Sequence, residues 1–269
     1  MQNIINGEVR NSPHRGSPFF LQIEKALSKF DPITLEEMDH VMLFDRFDQK
    51  FLLPENLLPI ILDNLTEEYY ALEVKQTRIH TYHTRYFDTA NFNHYLDHHN
   101  LRKSRFKFRH RIYLESDLHF FEIKEKNNKD RTVKSRVNIR NKIPILGEQA
   151  LQLIELSTPH DGKILEPKLW SNFHRLTLVH KIRQERMTID LNLILENDLS
   201  STQFSGTVIL ELKQDKKSFS VPVVRSLINN GCRPGAMSKY TMGVVELYPE
   251  NKSNLFLPTK RIIQKFKQL

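Results

Sequence analysis

The 269-residue sequence has little cysteine, little glycine and no long apolar run. Its single cysteine, Cys232, excludes an intramolecular disulfide and is typical of a reducing compartment. It contains no Gly-rich phosphate loop, which argues against a nucleotide hydrolase of the P-loop type. No apolar stretch reaches the length of a transmembrane helix, and the N-terminus lacks the pattern of a secretory signal. These absences predict a cytoplasmic protein.

Positive charge is what the sequence has in excess, with a formal net charge of +8 and a pI near 9.4. Such a balance favours an acidic partner such as nucleic acid, polyphosphate, a nucleotide or an anionic membrane. The hydrophobic content of 39% and charged content of 27% are those of a globular protein at the polar end of the range. The basic residues are interleaved within predicted strands rather than gathered in one tail.

The most regular example is the segment 105–111, in which basic residues alternate with mostly aromatic ones. Because successive side chains of a strand point to opposite faces, the pattern predicts one basic face. That face consists of Arg105, Lys107, Arg109 and Arg111. Four adjacent cations repel one another, so a multivalent anion would be needed to stabilise them. For one strand considered alone, a solvent-exposed sheet face is an equally good interpretation.

The same alternation recurs in five further segments, at 46–53, 120–126, 132–140, 186–190 and 208–213. Two of them contain a Glu-x-Lys pair between apolar neighbours, namely Glu122 with Lys124 and Glu211 with Lys213. A solvent-exposed face does not explain such pairs in otherwise apolar strands. Six strands of this kind predict a sheet whose charged face curls inward.

Helical patterns lie between and around these strands, at 20–30, 34–39, 54–65, 92–99, 147–157, 222–230 and 259–268. Thr34 and Glu37 have the spacing of a capping box. We predict an N-terminal leader and short helix over 1–30, one main domain over 31–250, and a basic tail over 251–269. The cations of this tail could contact a membrane or a partner protein.

Seven segments, in this order, resemble the VTC domain, the polyphosphate-polymerase-like branch of the triphosphate tunnel metalloenzyme (CYTH-like) superfamily. They are RFDQKFLLPEN (46–56), RYFDTANFNHYLDHHNLRKSRFKFRHRIY (85–113), FFEIKEK (120–126), TVKSRV (132–137), ERMTIDLNL (185–193), VILELK (208–213) and MSKYTMG (237–243). ITLEEMD (33–39) is similar to the lead-in of bacterial members. The resemblance implies an α+β, mainly antiparallel fold: a closed eight-stranded tunnel-type β-barrel with peripheral helices.

The resemblance also implies which residues line the tunnel. The positions expected to bind phosphate are Lys50, Arg109, Arg111, Lys124, Lys134, Arg136, Arg186, Lys213 and Lys239. Arginine offers phosphate a planar fork and lysine a point charge. Those expected to take part in catalysis are Arg109, Arg111, Lys124, Arg186 and Glu211. Arg105 and Lys107 are expected nearer the tunnel mouth.

Glu211 matches the metal-ligand glutamate of the family, and Glu122 is a second metal candidate. Hard divalent cations bind carboxylate oxygen together with substrate phosphates, so Mn2+ or Mg2+ is the implied cofactor. The alternative is that both glutamates only pair with Lys124 and Lys213.

Two positions depart from the fungal members of the family. Trp170 stands where they carry a further tunnel arginine, and Ala236 replaces the first lysine of their Lys-x-x-Ser-Lys segment, leaving Lys239. His174 or Arg175 could replace the missing cation. The departures weaken the implication that the substrate is the same.

The function implied is metal-dependent phosphoryl transfer from a nucleoside triphosphate such as ATP, which forms or extends inorganic polyphosphate. With water as acceptor, this phosphotransferase would be a triphosphatase. The alternative from another class is a non-catalytic sensor of polyphosphate or pyrophosphate. Nucleic acid is not expected as a partner, because a tunnel excludes duplexes. His94 and His98 have the i, i+4 spacing of zinc ligands, but surface histidines are the simpler interpretation.

Overall fold

The computed structural model describes residues 16–39, 47–129, 131–139, 146–215 and 221–268. Residues 1–15 of the predicted leader and short helix (1–30) lie outside these ranges, as do Arg46 and Arg140 at the ends of two predicted strands. In the described part of the chain, no helix is long and apolar enough to cross a membrane.

Within the described residues, eleven strands form one mainly antiparallel sheet. They are β1 (Asp31–Ile33), β2 (Phe47–Pro54), β3 (Tyr69–Leu72), β4 (His80–Asp88), β5 (Arg105–Tyr113), β6 (Leu118–Lys126), β7 (Thr132–Asn138), β8 (Glu166–His180), β9 (Glu185–Glu196), β10 (Ser201–Gln203) and β11 (Thr207–Gln214). Eight of them follow the path β2-β11-β9-β8-β4-β5-β6-β7. The exception to antiparallel pairing is β1 with β3.

Eight α-helices are described, and seven of them confirm predicted helical patterns. They are α1 (Pro18–Leu27), α2 (Leu35–Asp39), α3 (Leu58–Asp63), α4 (Asn93–His99), α5 (Glu148–Ser157), α6 (Pro222–Asn229), α7 (Lys239–Leu247) and α8 (Leu257–Phe266). The capping box before α2 is present, since the Glu37 carboxylate accepts hydrogen bonds from the Thr34 backbone N–H and hydroxyl, each at 2.8 Å. Helix α7 was not predicted.

The apolar residues of the alternating strands are buried under helices, as the alternation predicted. Phe108 and Phe121 are fully buried on β5 and β6, where α5 covers them. Helices α1, α3 and α6 pack in a second cluster over the apolar residues of β2, β9 and β11. Burying a side chain of this size stabilises the fold by about 1.5–3 kcal/mol. The opposite face of the same strands carries the charged residues.

Contacts of two distant strands show that the sheet curls toward its charged face. Lys50 on β2 donates to the Met237 carbonyl at 3.1 Å, and Lys107 on β5 donates to the Ser238 hydroxyl at 2.9 Å. Five strand spacings separate β2 from β5. In a flat sheet these would amount to roughly 24 Å. Because both lysines reach adjacent residues, the charged face must be concave.

The prediction of a closed barrel is wrong, because the described sheet is open. The main path has the expected eight strands, but within the described residues its two end strands, β2 and β7, are not hydrogen-bonded to each other. Both edges carry cations on the charged side, Lys50 on β2 and Lys134 and Arg136 on β7. Their repulsion opposes edge-to-edge pairing, as charged residues commonly do on sheet edges.

Helix α7 fills one end of the concave face. Its apolar residues form a single cluster with sheet residues that include Tyr86, Leu169, Leu193 and Ile209. The approach is close: a Cβ on Gly243 would lie 2.7 Å from a methyl carbon of Leu169. We call this region the apolar end. The charged residues lie on the concave face outside this end.

The C-terminal segment predicted as a basic tail contains α8, which packs on the domain. Ile263 is buried, and Lys260 pairs with Glu246 at 3.2 Å. Gly206, with a positive φ of 71°, allows the end of α8 to approach, since a Cβ there would lie 2.5 Å from the Phe266 carbonyl oxygen. Contact of this segment with a membrane or another protein stays a prediction.

Candidate functional site

Strand register places the predicted site residues on the concave face. Glu211 lies opposite Lys50 on one side and Thr188 on the other, while Lys213 lies opposite Arg186. Further along the sheet, Arg109 faces Glu122, Glu122 faces Arg136, and Lys124 faces Lys134. We call the following set the charged face: Lys50, Lys107, Arg109, Arg111, Glu122, Lys124, Lys134, Arg136, Arg175, Arg186, Asp190, Glu211, Lys213 and Lys239.

Glu211 is held between two lysines. Its carboxylate lies 2.9 Å from Lys213 Nζ and 3.9 Å from Lys50 Nζ. Burial alone would raise the pKa of the Glu211 carboxyl, but the attraction of Lys213 and Lys50 outweighs burial and holds this pKa well below its usual range. Glu211 is therefore ionised at neutral pH.

Glu122 forms a second cluster with two arginines. Arg109 Nε and Nη2 both lie 2.6 Å from Glu122 Oε2, and Arg111 Nη1 lies 3.7 Å away. Burial would raise the pKa of Glu122, but these arginines lower it to about 2. Glu122 fixes the orientation of the Arg109 guanidinium through two contacts, whereas Arg111 is attracted by charge and donates a hydrogen bond to the Thr84 hydroxyl at 3.4 Å. An arginine has five N–H donors, so each side chain retains donors beyond these contacts.

Asp190 forms a third cluster with Arg175 and Lys239. Arg175 donates to both carboxylate oxygens, with Nε at 2.6 Å and Nη2 at 2.8 Å, and Lys239 Nζ contacts Oδ2. Asp190 is 4% exposed, and the two cations hold its pKa below the usual range despite burial. The contact attaches the first residue of α7 to the sheet.

Lysines of the charged face have lowered pKa values because they are buried among like charges. Burial, then repulsion from Lys50, lowers the pKa of Lys124 to about 8. Burial also lowers the pKa of Lys239 to about 8, although Asp190 opposes the shift. The pKa of Lys107 lies well below its ordinary value, through burial and the neighbouring Lys124. A bound polyanion would relieve this repulsion and restore the charges.

Arg175 and Asp190 are the residues that sequence reasoning left out of the site. Arg175 appeared only as a possible substitute for a missing cation, and the structure places it on the charged face. Trp170, expected to stand at that arginine position, lies on the opposite face, where the Arg85 guanidinium is 5.2 Å from its ring. His174 packs against Phe20 of α1. Because side chains alternate between the two faces of a strand, Phe173 and Arg175 share one face and His174 lies on the other. This alternation would have identified Arg175 from the sequence.

Lys107 lies on the charged face and donates a hydrogen bond to the Ser238 hydroxyl, directly before α7. Its expected place nearer the mouth, together with Arg105, stays a prediction. Lys134 and Arg136 lie on the exposed edge strand β7. Lys134 is close enough to Glu122 to lower its pKa further.

The histidines of α4 are not surface residues, which corrects the sequence interpretation. His94 is 3% exposed and packs against Phe108 and His160. His98 lies near the cations, since burial and then the charges of Lys107 and Arg105 lower its pKa to about 2. Among the residues that the structure describes, no group of three His, Cys, Asp or Glu side chains could hold a metal ion.

A magnesium-type site does not require such a group. Hard divalent cations are commonly bound by one or two carboxylates, with phosphate oxygens and water completing the shell. The side chain of Glu211 is ionised and 20% exposed, which fits a ligand of this kind. Glu122 fits less well, because one of its oxygens already binds Arg109 and Arg111.

Comparisons with known proteins agree with the resemblance seen in the sequence. The VTC domain profile matches residues 45–248, a range that includes the whole charged face. No curated protein sequence matches the chain.

The fold is similar to those of several solved structures. A putative adenylyl cyclase from Hippeastrum with a dominant triphosphatase activity is 15% identical, covering 74% of this chain and 95% of that chain, with a TM-score of 0.45. A putative adenylate cyclase from Bacillus halodurans is 13% identical, covering 79% and 97%, with a TM-score of 0.47. The PH1819 protein from Pyrococcus horikoshii is 11% identical, covering 74% and 99%, with a TM-score of 0.41.

Proposed function

The chain belongs to the VTC domain family, and from that premise we propose that its charged face binds the phosphates of a nucleoside triphosphate and transfers a phosphoryl group. The acceptor in this proposal is an inorganic polyphosphate chain, which the reaction forms or extends. The single observation that carries the proposal is the concentration of mostly buried or half-buried cations around three paired carboxylates. These cations far outnumber the carboxylates, and several have lowered pKa values, so they favour a ligand with many negative charges.

The proposed mechanism uses position and charge, without a covalent enzyme intermediate. Arg109, which Glu122 orients, and the neighbouring Arg111 would bind oxygens of the transferring phosphoryl group. Arg175 and Lys239, oriented by Asp190, would bind the neighbouring phosphates. Donors that are fixed before the substrate arrives stabilise the charge of a transition state without reorganising.

Glu211 is the residue expected to hold Mn2+ or Mg2+, which would supply charge neutralisation at the phosphate oxygens. Lys50 and Lys213 keep this carboxylate ionised and orient it. Exclusion of water is the role expected of α7, which covers one end of the concave face.

Turnover of ATP in the presence of Mn2+ or Mg2+ tests the proposal. Free phosphate, ADP and the length of any phosphate chain would be followed for the wild type and for Glu211→Gln. We expect chain growth in the wild type and at least a tenfold loss in the variant. Glu125→Gln is the matched control, because Glu125 lies on the opposite face of β6. Equal turnover by wild type and Glu211→Gln would contradict the role of Glu211, and release of phosphate without chain growth would indicate a triphosphatase.

A non-catalytic polyphosphate sensor is the second candidate, and one observation favours it. Each of the three carboxylates is already paired with two cations, so a metal ion would compete with lysine or arginine for its ligands. Thermal stabilisation by tripolyphosphate, with no product formed from ATP at any metal concentration, would select the sensor. Product formation would eliminate it.

A further inference from the structure

Four aromatic rings form a continuous row across the concave face, on strands β8, β4, β5 and β6. We call this row, Phe173, Tyr82, Tyr113 and Phe120, the aromatic band. Successive ring centroids are 5.3, 4.9 and 5.9 Å apart. Each separation is within the range of favourable aromatic pairs.

The two ends of the aromatic band differ in how much ring surface they leave for a ligand. Phe173 and Tyr82 are buried, at 2% and 8% exposure, and cations cover them. Arg175 lies 4.9 Å from the Tyr82 ring, and Lys239 lies 4.2 Å from the Phe173 ring. Tyr113 and Phe120 are half-buried. The Arg136 guanidinium lies 4.8 Å from the Phe120 ring and covers part of it, and part of the remaining ring surface faces solvent.

Tyr113 and Phe120 lie at the rim of the sheet, beside the charged face. Residues 114–117 form the turn that joins β5 to β6, so these two rings occupy the last rungs of the hairpin. Arg111 is the strand partner of Phe120. The two rings are perpendicular, with an interplanar angle of 90°, and together they form a corner. A planar group can stack on one ring while its edge meets the other.

We propose that this corner binds the base of a nucleoside triphosphate whose phosphates lie on Arg111 and Arg109. Along β5 from Tyr113, the next residues on the same face are Arg111 and then Arg109. Each step of two residues spans about 7 Å. Arg136, whose guanidinium lies 4.8 Å from the Phe120 ring, supplies a further stacking surface and a cation. The inference rests on the proposed function, and it adds the nucleoside as the recognised part of the substrate. Stacking tolerates every base and favours the larger purine surface.

Binding of ATP, CTP and inorganic tripolyphosphate to Phe120→Leu and wild type tests the inference. Leucine keeps most of the volume and removes the π surface. We expect the Kd of ATP to rise about tenfold, whereas the Kd of tripolyphosphate should change less than about twofold. The preference for ATP over CTP should shrink. Leu114→Ala, an exposed residue of the same turn, is the matched control and should change none of these values.

The outcomes separate this inference from the proposed function. If ATP and tripolyphosphate lose affinity equally in Phe120→Leu, the ring only supports the hairpin, and the base site is wrong. If the variant binds ATP like the wild type, the base site is wrong while phosphate binding stands. If the wild type binds neither compound, the proposed function fails as well. Tyr113→Leu, measured with the same three ligands, is the second variant, and a melting curve for each shows that it is folded.

Discussion

The apolar end and the charged face lie on the same alternating strands but have opposite effects on stability. At the apolar end, residues such as Leu169 and Ile209 pack against α7 and stabilise the fold. On the charged face, the same strands carry Arg175 and Glu211. There, burial and then mutual repulsion lower the pKa values of the half-buried Lys124 and Lys107, so we expect this region to stabilise the fold less. The contrast is between an apolar cluster that stabilises the fold and a charged face whose like charges oppose it.

The largest effect on stability is expected from the apolar end. Leu169→Ala should lower the free energy of unfolding by about 2–5 kcal/mol, because it leaves a cavity against α7. Urea unfolding measures the change. Gly243→Ala in the same chain should recover part of the loss, since the new methyl group occupies the space that Leu169 vacates and alanine favours a helix. A double variant no more stable than Leu169→Ala would contradict the predicted contact.

On the charged face we expect the opposite pattern from Lys124→Met. Removing a buried cation relieves its repulsion with Lys50, so the free energy of unfolding should stay constant or rise by about 1 kcal/mol. The Kd of tripolyphosphate should rise about tenfold, because one charge-assisted contact is lost. Unfolding and titration calorimetry measure the two effects. Lys129→Met, in the exposed turn after β6, is the control. If Lys124→Met lowers the free energy of unfolding and leaves the Kd of tripolyphosphate unchanged, the proposed contrast between the apolar end and the charged face is wrong.

An effect of pH is also expected, with opposite signs for stability and binding. The pKa of Lys124 is about 8 in the folded protein, below the ordinary lysine value of 10.5. Between these values the unfolded state binds more protons, so stability should rise as pH increases from 8 to 10. Tripolyphosphate affinity should fall over the same range, because the lysine loses its charge. Unfolding and binding measured at pH 7, 8, 9 and 10 test both signs, and Lys124→Met should flatten part of each slope.

Local patterns predicted most of the strands and their two faces. Phe108 and Phe121 are buried and Arg109 and Glu122 face the opposite side, because alternation in a strand depends only on neighbouring residues. The helix α2 was predicted from the capping-box spacing of Thr34 and Glu37. The structure contains the reciprocal hydrogen bonds between these two residues, which are local too. By contrast, α7 was missed, since its residues read as a family motif and not as an amphipathic helix.

Within the candidate site, the sequence identified the charged residues better than their partners. Glu211 with Lys213 was visible as a Glu-x-Lys pair within one strand. Asp190 with Lys239 was not, because the two lie 49 positions apart and meet only when α7 docks. The resemblance set Trp170 at the position of a tunnel arginine in fungal members and named Arg175 as a possible substitute. The structure places Arg175 on the charged face and Trp170 on the opposite face.

The sequence by itself determined which residues share a charged face, because the period of a strand is set by the backbone of each residue and its neighbours. The sequence also predicted that this face curls inward, but tertiary structure alone decided that β2 and β7 do not pair within the described residues and that α7 fills one end. These features depend on contacts between strands and helices distant in the chain. The same contacts hold Arg109, Arg175 and Lys239 beside the carboxylates that orient them.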